Sequence, residues 1–79
     1  MFYVYILESE LNSEVHYVGL TDNIDRRLKE HNDGKSIHTR QFGPWLLKNT
    51  FGFKDKLKAK QFEKYLKSHS GRAFTKKHF

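Results

Sequence analysis

The sequence predicts a small α/β chain of the α+β kind: a three-stranded, antiparallel-rich sheet flanked by helices, with elements in the order β-β-α-β-α. Three observations point there. Two short apolar runs near the N-terminus are separated by a polar turn. A third apolar run follows the single proline. Two stretches with helically spaced apolar residues and polar caps lie between and after these runs.

The first run, Phe2 to Leu7, is short and rich in β-branched and aromatic residues, the pattern of a strand covered on both faces. Glu8 to Glu14 is polar, with Asn12-Ser13 as the turn signal. Val15 to Gly19 forms a second strand and pairs with the first as an antiparallel hairpin. Thr21 or Asp22 is the expected N-cap of a helix running to about Asn32. Asn32-Asp33-Gly34 stops it, with Gly34 suited to the left-handed position. Lys35 to Gly43 is a polar loop. Pro44 opens the third strand, Trp45 to about Phe53, because a missing N–H is tolerated at a strand's first residue. Asp55 caps a second helix, Lys56 to about Ser68, ending near Gly71. The tail, Arg72 to Phe79, is expected to add a short helix that carries Phe74 and Phe79 inward.

Length and composition restrict the function classes. The 79 residues are expected to make one domain, residues 1–79. A chain of this size buries only about 60–65% of its unfolded surface, so its core is thin. Seven Phe, four Tyr and one Trp supply more apolar bulk than a disordered chain carries. With no cysteine there is neither a disulfide nor a thiolate zinc site, which fits a cytoplasmic protein. His16, His31, His38, His69 and His78 lack the tight spacing of zinc ligands. No apolar run approaches the ~20 residues that span a bilayer, and Met1 to Leu7 lacks the basic start of a signal peptide. The net charge, 15 − 9 = +6, draws the chain towards polyanions, where each neutralised phosphate releases counterions. The plainer reading of that charge is a lysine-rich soluble surface.

The informative step is to place polar residues on the helices. In the first helix, Ile24 and Leu28 mark the apolar stripe, and the same spacing places Arg27 and His31 on it. Asp25, Arg26, Lys29 and Glu30 fall on the other side. In the second helix, Ala59, Phe62 and Leu66 mark the stripe, and Glu63 lies among them. Buried unpaired charge is costly and is met by pairing, metal ligation or a shifted pKa. An Arg, a His and a Glu on inward stripes can therefore share one site on the sheet. The plainer alternative is a salt bridge between Arg27 and Glu63 at the edge of the core. Tyr3, Tyr5 and Leu7 share one face of the first strand, and Val15, Tyr17 and Gly19 one face of the second, so tyrosines of neighbouring strands can look at the same spot.

Together these residues resemble the GIY-YIG nuclease family. Tyr3-Val4-Tyr5-Ile6-Leu7 corresponds to the first signature strand and Tyr17-Val18-Gly19 to the second, with eleven residues between Tyr5 and Tyr17. Leu20 to Asn32 looks like the family's first helix, with Arg27 at its arginine and His31 at a frequent histidine. Gln61-Phe62-Glu63-Lys64 looks like the later helix with the metal-binding glutamate. The likeness covers essentially the whole chain. It is strongest to the small stand-alone bacterial members and to the N-terminal domain of the excision-repair nuclease subunit. Two departures stand out: Tyr3 replaces the first motif's leading Gly, and no Asn follows Asn49, whereas many members carry a late one.

The resemblance implies a GIY-YIG fold and metal-dependent hydrolysis of a phosphodiester bond in DNA, in repair or recombination. Glu63 would bind one Mg²⁺ or Mn²⁺. Arg27 would hold the non-bridging phosphate oxygens through its planar fork. Tyr5 or Tyr17 would orient or deprotonate the attacking water, with His31 accepting the tyrosine's proton or holding its hydroxyl. A nearby cation such as Arg27 would lower the phenol's pKa. His38-Thr39-Arg40 in the polar loop, and Lys60 and Lys64 on the second helix, are candidates for contacting the nucleic-acid backbone. The partner would be DNA, branched or damaged, with help from a partner protein or a second copy of the chain. Two other classes remain open: a non-catalytic nucleic-acid-binding module, which the missing late Asn favours, and a small protein-interaction domain, which the +6 charge disfavours.

Overall fold

The structure is a computed structural model that describes residues 1–68. The expected tail helix, with Phe74 and Phe79, and the expected helix end near Gly71 lie outside the described residues. The elements are β1 (Phe2–Ser9), β2 (His16–Thr21), α1 (Ile24–Asn32), β3 (Trp45–Phe53) and α2 (Lys56–Lys67). The β-β-α-β-α order is as the sequence predicts.

The sheet runs β2-β1-β3 and both pairings are antiparallel. β1 is central because it carries the densest apolar run, and Val4, Tyr5, Ile6 and Leu7 are all buried. Alternation along β1 divides the core into two layers. Val4 and Ile6 pack with Ala59 and Leu66 of α2, joined by the partly buried Val18, Leu20, Phe51 and Phe62. Tyr5 and Leu7 pack on the opposite face with Trp45, Tyr17, and Ile24 and Leu28 of α1. Each fully buried aliphatic side chain contributes roughly 1.5–3 kcal/mol.

Local chemistry sets the element ends. The N-cap of α1 is Asn23, where Thr21 or Asp22 was the sequence-based expectation; its Oδ1 accepts from the Arg26 N–H at 3.0 Å. Thr21 cannot serve because it still pairs with Tyr3 as the last residue of β2, and the Asp22 side chain turns to Arg26 instead. Gly34 closes α1 at φ +75°, a left-handed conformation that suits glycine, and its N–H donates to the His31 carbonyl. Asp55 caps α2 as expected, accepting from the Leu57 N–H at 2.8 Å. The β1–β3 register breaks between Ile6, opposite Asn49, and Leu7, opposite Leu47, which leaves Lys48 as an extra residue.

Candidate active site

The site is assembled on the α1 face of the sheet, towards β2. Tyr5 stands in register with Gly19 of β2. Its phenol turns across that partner: a Cβ built on Gly19 would overlap the Tyr5 hydroxyl and Cζ. Glycine at 19 is thus a steric requirement of the tyrosine's pose. In the sequence Gly19 stands out as the end of the Tyr17-Val18-Gly19 motif, on one strand face with Tyr17; the register of the hairpin is the signal that gives it a role.

His31, on the last turn of α1 and 1% exposed, is held at both ring nitrogens. Nε2 lies 2.9 Å from the Tyr5 hydroxyl oxygen and Nδ1 lies 2.6 Å from Thr39 Oγ1. The Tyr17 ring sits 5.0 Å from the imidazole and 6.3 Å from the Tyr5 ring. The two tyrosines and the histidine are therefore brought together, as expected.

Thr39 is placed differently from the expectation. A backbone contact to nucleic acid needs a surface residue, and Thr39 is wholly buried. The reason is the turn over residues 37–41: the N–H groups of Thr39 and Arg40 both donate to the Ser36 carbonyl, which turns the residue-39 side chain inward. Its carbonyl accepts the Trp45 indole N–H at 2.9 Å, tying the turn to β3. His38 and Arg40 on either side remain exposed. What reads as a polar loop is in part an inner wall of the site.

Arg27, one turn before His31, lies half-buried, with Nη1 donating to Glu30 Oε1 at 3.1 Å and its guanidinium near enough to Tyr5 to act on the phenol. Glu63 does not pair with Arg27, so the salt-bridge alternative is not realised; its Oε2 instead accepts from Lys67 Nζ at 3.2 Å. Lys67 also lies 5.9 Å over the Tyr17 ring. This flank of α2 consequently reaches past the β2 edge to the face that carries the tyrosines, and Glu63 is close enough for its charge to act on Tyr5. Lys60 and Lys64 are exposed on α2, at i, i+4 spacing beside Glu63.

The electrostatics assign protonation states. Burial pushes the Tyr5 phenol up to about 12, outweighing the hydrogen bond and charge of Arg27, which pull it down. The expected net lowering by Arg27 is therefore reversed, and Tyr5 is a neutral phenol at physiological pH. Burial, then the charge of Arg27, lowers His31 below its ordinary value, against the opposing pull of Glu30. Burial opposes the Arg27 charge, but hydrogen bonds to Glu30 and Tyr5 outweigh it and hold the guanidinium above its ordinary value. The centre is thus a neutral phenol and imidazole, flanked by a fixed cation and a carboxylate.

Among the described residues no three His, Asp or Glu side chains converge to cage a metal ion. Two carboxylates stand at the site: Glu30 is paired with Arg27, whereas Glu63 accepts from Lys67 through Oε2, and its Oε1 accepts no hydrogen bond from the described residues. Such a donor suits a hard cation that brings most of its shell as water and phosphate oxygens. A groove of about 440 Å³ opens elsewhere, lined by Tyr3, Asp22, Asp25, Leu47 and Thr50 beside the start of α1. Its two carboxylates would repel a phosphate, so it is not the candidate site.

The chain matches the GIY-YIG catalytic domain family over residues 1–77. It is 42% identical over 71 residues to the UPF0213 protein BH0048 of Halalkalibacterium halodurans, covering 89% of this chain and 73% of that protein. It is 40% identical over 68 residues to the UPF0213 protein CPE1444 of Clostridium perfringens, covering 85% and 71%. The solution NMR structure of the UPF0213 protein BH0048 from Bacillus halodurans superposes with a TM-score of 0.57 at 38% identity, covering 96% of this chain and 81% of that one. Two tyrosines facing each other across a β-hairpin, an inward arginine and histidine on the first helix, and a helical glutamate at the sheet edge place this chain in the GIY-YIG catalytic domain family, among its small UPF0213 proteins.

Proposed function

We propose that the protein is a divalent-metal-dependent endonuclease that hydrolyses a phosphodiester bond in DNA. The observation that carries the reading is the convergence of Tyr5, Tyr17, Arg27, His31 and Glu63 on one side of the β1–β2 hairpin, around a rim of half-exposed groups. A phosphate approaching that rim meets a guanidinium whose planar fork matches two non-bridging oxygens. Arg27 holds the group in line with the Tyr5 oxygen, which orients the attacking water and takes up its proton as the phenol passes its own proton to His31 Nε2, 2.9 Å away. Tyr17 packs against both rings and keeps them in place. Mg²⁺ or Mn²⁺, held through Glu63, would supply Lewis-acid polarisation of the scissile phosphate.

The surroundings suit a DNA backbone. Lys60, Lys64 and Arg40 are exposed and carry positive charge, His38 is exposed in the same turn as Arg40, and none of them is arranged for reading base edges. Binding would therefore depend on phosphate spacing and DNA shape, consistent with a branched or damaged substrate and with a partner protein or second copy that adds specificity. No helix among the described residues is long and apolar enough to cross a membrane, and we place the reaction in the cytoplasm.

A second reading is a non-catalytic DNA-binding module that keeps the family's frame. The raised pKa of Tyr5 and the absence of Asn after Asn49 favour it. One experiment separates the two: nicking of supercoiled plasmid and of a labelled branched duplex with Mg²⁺, Mn²⁺ or chelator. The nuclease reading expects metal-dependent cleavage that is lost in Arg27→Ala and Glu63→Ala. No cleavage with either metal, alongside salt-sensitive binding, would leave the binding module.

A further inference from the structure

We propose that Lys67 is the resident counter-ion of Glu63: it stands against the divalent ion for that carboxylate, so that tight metal binding waits for a DNA phosphate. The inference rests on the nuclease reading for its metal and its DNA, and adds an interdependence between the two.

Two contacts hold the Lys67 ammonium on the site's side of α2. Nζ donates to Glu63 Oε2 at 3.2 Å and lies 5.9 Å from the centre of the Tyr17 ring. The i, i+4 spacing explains the first contact. It does not explain the second, which brings a lysine at the end of α2 over an aromatic ring of β2. The Glu63 side chain is 23% exposed and that of Lys67 50%, so water screens the pair only in part. As a contribution to stability such a pair is small. Its consequence is for what else Glu63 can hold.

The charge balance of the constellation is zero. Its ionised side chains are Arg27 and Lys67, both positive, and Glu30 and Glu63, both negative, while Tyr5 and His31 are neutral at neutral pH. The sum is 2 − 2 = 0, and each carboxylate is already matched by its own cation. A divalent ion therefore enters with two charges that nothing in the site offsets. Whether it displaces Lys67 from Oε2 or takes the open Oε1, it meets the repulsion of the ammonium.

A DNA phosphate changes that balance. It brings negative charge to a site with two cations, attracts the divalent ion, and offers Lys67 a second anion to bond. Metal and phosphate then each favour the binding of the other, by the same factor in both directions. Without the Lys67 charge the sum falls to 1 − 2 = −1. Glu63 then draws the ion unaided, and the dependence on DNA shrinks.

The test is Mn²⁺ binding to the full chain, read by calorimetry at neutral pH without DNA. Lys67→Gln removes the charge from a half-exposed position and should bind Mn²⁺ roughly 3- to 10-fold more tightly than wild type, the size of a repulsion between a single and a double charge a few ångströms apart in water. Lys67→Arg, which keeps the charge, should stay close to wild type, and Glu63→Gln should bind most weakly. An affinity of Lys67→Gln equal to or below that of wild type overturns the proposal, because the pair would then be a solvated contact or a brace that Glu63 needs. A second measurement reads the dependence on DNA: anisotropy of a labelled duplex with Mn²⁺ and with chelator, at matched ionic strength, in a Tyr5→Phe background that stops cleavage. Mn²⁺ should tighten duplex binding most where Lys67 is present and less in Lys67→Gln. Glu63→Gln supplies the baseline for metal bound to the DNA itself. Equal tightening with and without Lys67 overturns the coupling. Mn²⁺ binding that needs Glu63 but ignores Lys67 sinks the proposal and leaves the nuclease reading standing. No Mn²⁺ binding by wild type or Lys67→Gln, with or without DNA, sinks both.

Discussion

Gly19 and the Tyr5 hydroxyl occupy adjoining space across the β1–β2 hairpin, so closely that a single methyl group at position 19 would displace the phenol. Both residues lie in regular antiparallel pairing, and β2 has no backbone conformation that demands glycine. The constraint is purely one of volume.

Gly19→Ala should therefore cost about 1–3 kcal/mol by overpacking. For a domain this small each kcal/mol lowers Tm by roughly 4–8 °C. The same substitution should abolish cleavage, because the phenol must leave its place beside His31. A thermal melt of four proteins tests the cause: wild type, Gly19→Ala, Tyr5→Ala and the double variant. In the Tyr5→Ala background the added methyl should be nearly neutral. An equal penalty in both backgrounds would mean that something other than Tyr5 makes residue 19 intolerant.

Burial sets a distinctive alkaline behaviour. The Tyr5 phenol rises from 10.0 in the unfolded chain to about 12 in the fold. Above pH 10.0 the unfolded chain loses this proton while the folded chain keeps it, so stability present below pH 10.0 is lost as the pH rises towards 12. Phenolate absorbance of wild type minus Tyr5→Phe should show a transition near 12. A difference transition at 10.0 would refute the burial argument.

The acid side runs through His31. Its pKa lies below the ordinary 6.5, so under pH 6.5 the unfolded chain takes up a proton that the folded one refuses. The stability it contributes is complete above pH 6.5 and falls as the pH drops through the depressed folded value. Imidazole proton shifts followed by NMR should show His31 titrating below 6.5, and the urea midpoint should fall over the same interval. Titration of His31 above 6.5 would contradict the site's electrostatics.

At the charged rim, Arg27→Lys keeps the charge and loses the planar fork. It should reduce cleavage by about 10²–10³-fold, close to the effect of Arg27→Ala, as for removal of a donor that stabilises transition-state charge. Glu63→Gln should abolish metal-dependent cleavage and also weaken Mn²⁺ binding, which calorimetry reads without turnover. Full activity in Arg27→Lys would mean that the site needs only positive charge there.

Much of this arrangement is legible in the sequence, because periodicity alone places Arg27, His31 and Glu63 on inward stripes. The hairpin pattern sets Tyr5 near Tyr17. Thr39 was not legible, since its role depends on a turn that folds a polar segment under the sheet. Nothing in His38-Thr39-Arg40 tells the inward residue from its exposed neighbours. The cap of α1 was misplaced by one or two residues because Thr21, Asp22 and Asn23 are all good caps, and only the length of β2 chooses among them. The protonation state of Tyr5 was also out of reach: sequence names the nearby cation, but burial outweighs it.

The lysines of α2 test whether this face meets nucleic acid at all. Lys60 and Lys64 are exposed and one turn apart, so each can reach one phosphate without disturbing the core. If both do, the Lys60→Gln, Lys64→Gln double variant should bind duplexes of unrelated sequence more weakly by similar factors. The slope of log K against log salt should fall in magnitude by about 1.8, near 0.9 for each lost contact. Its melting temperature should match wild type, because neither side chain is buried. An unchanged slope would show that the second helix is merely a solvated face, and would move the DNA-binding surface to the exposed His38 and Arg40.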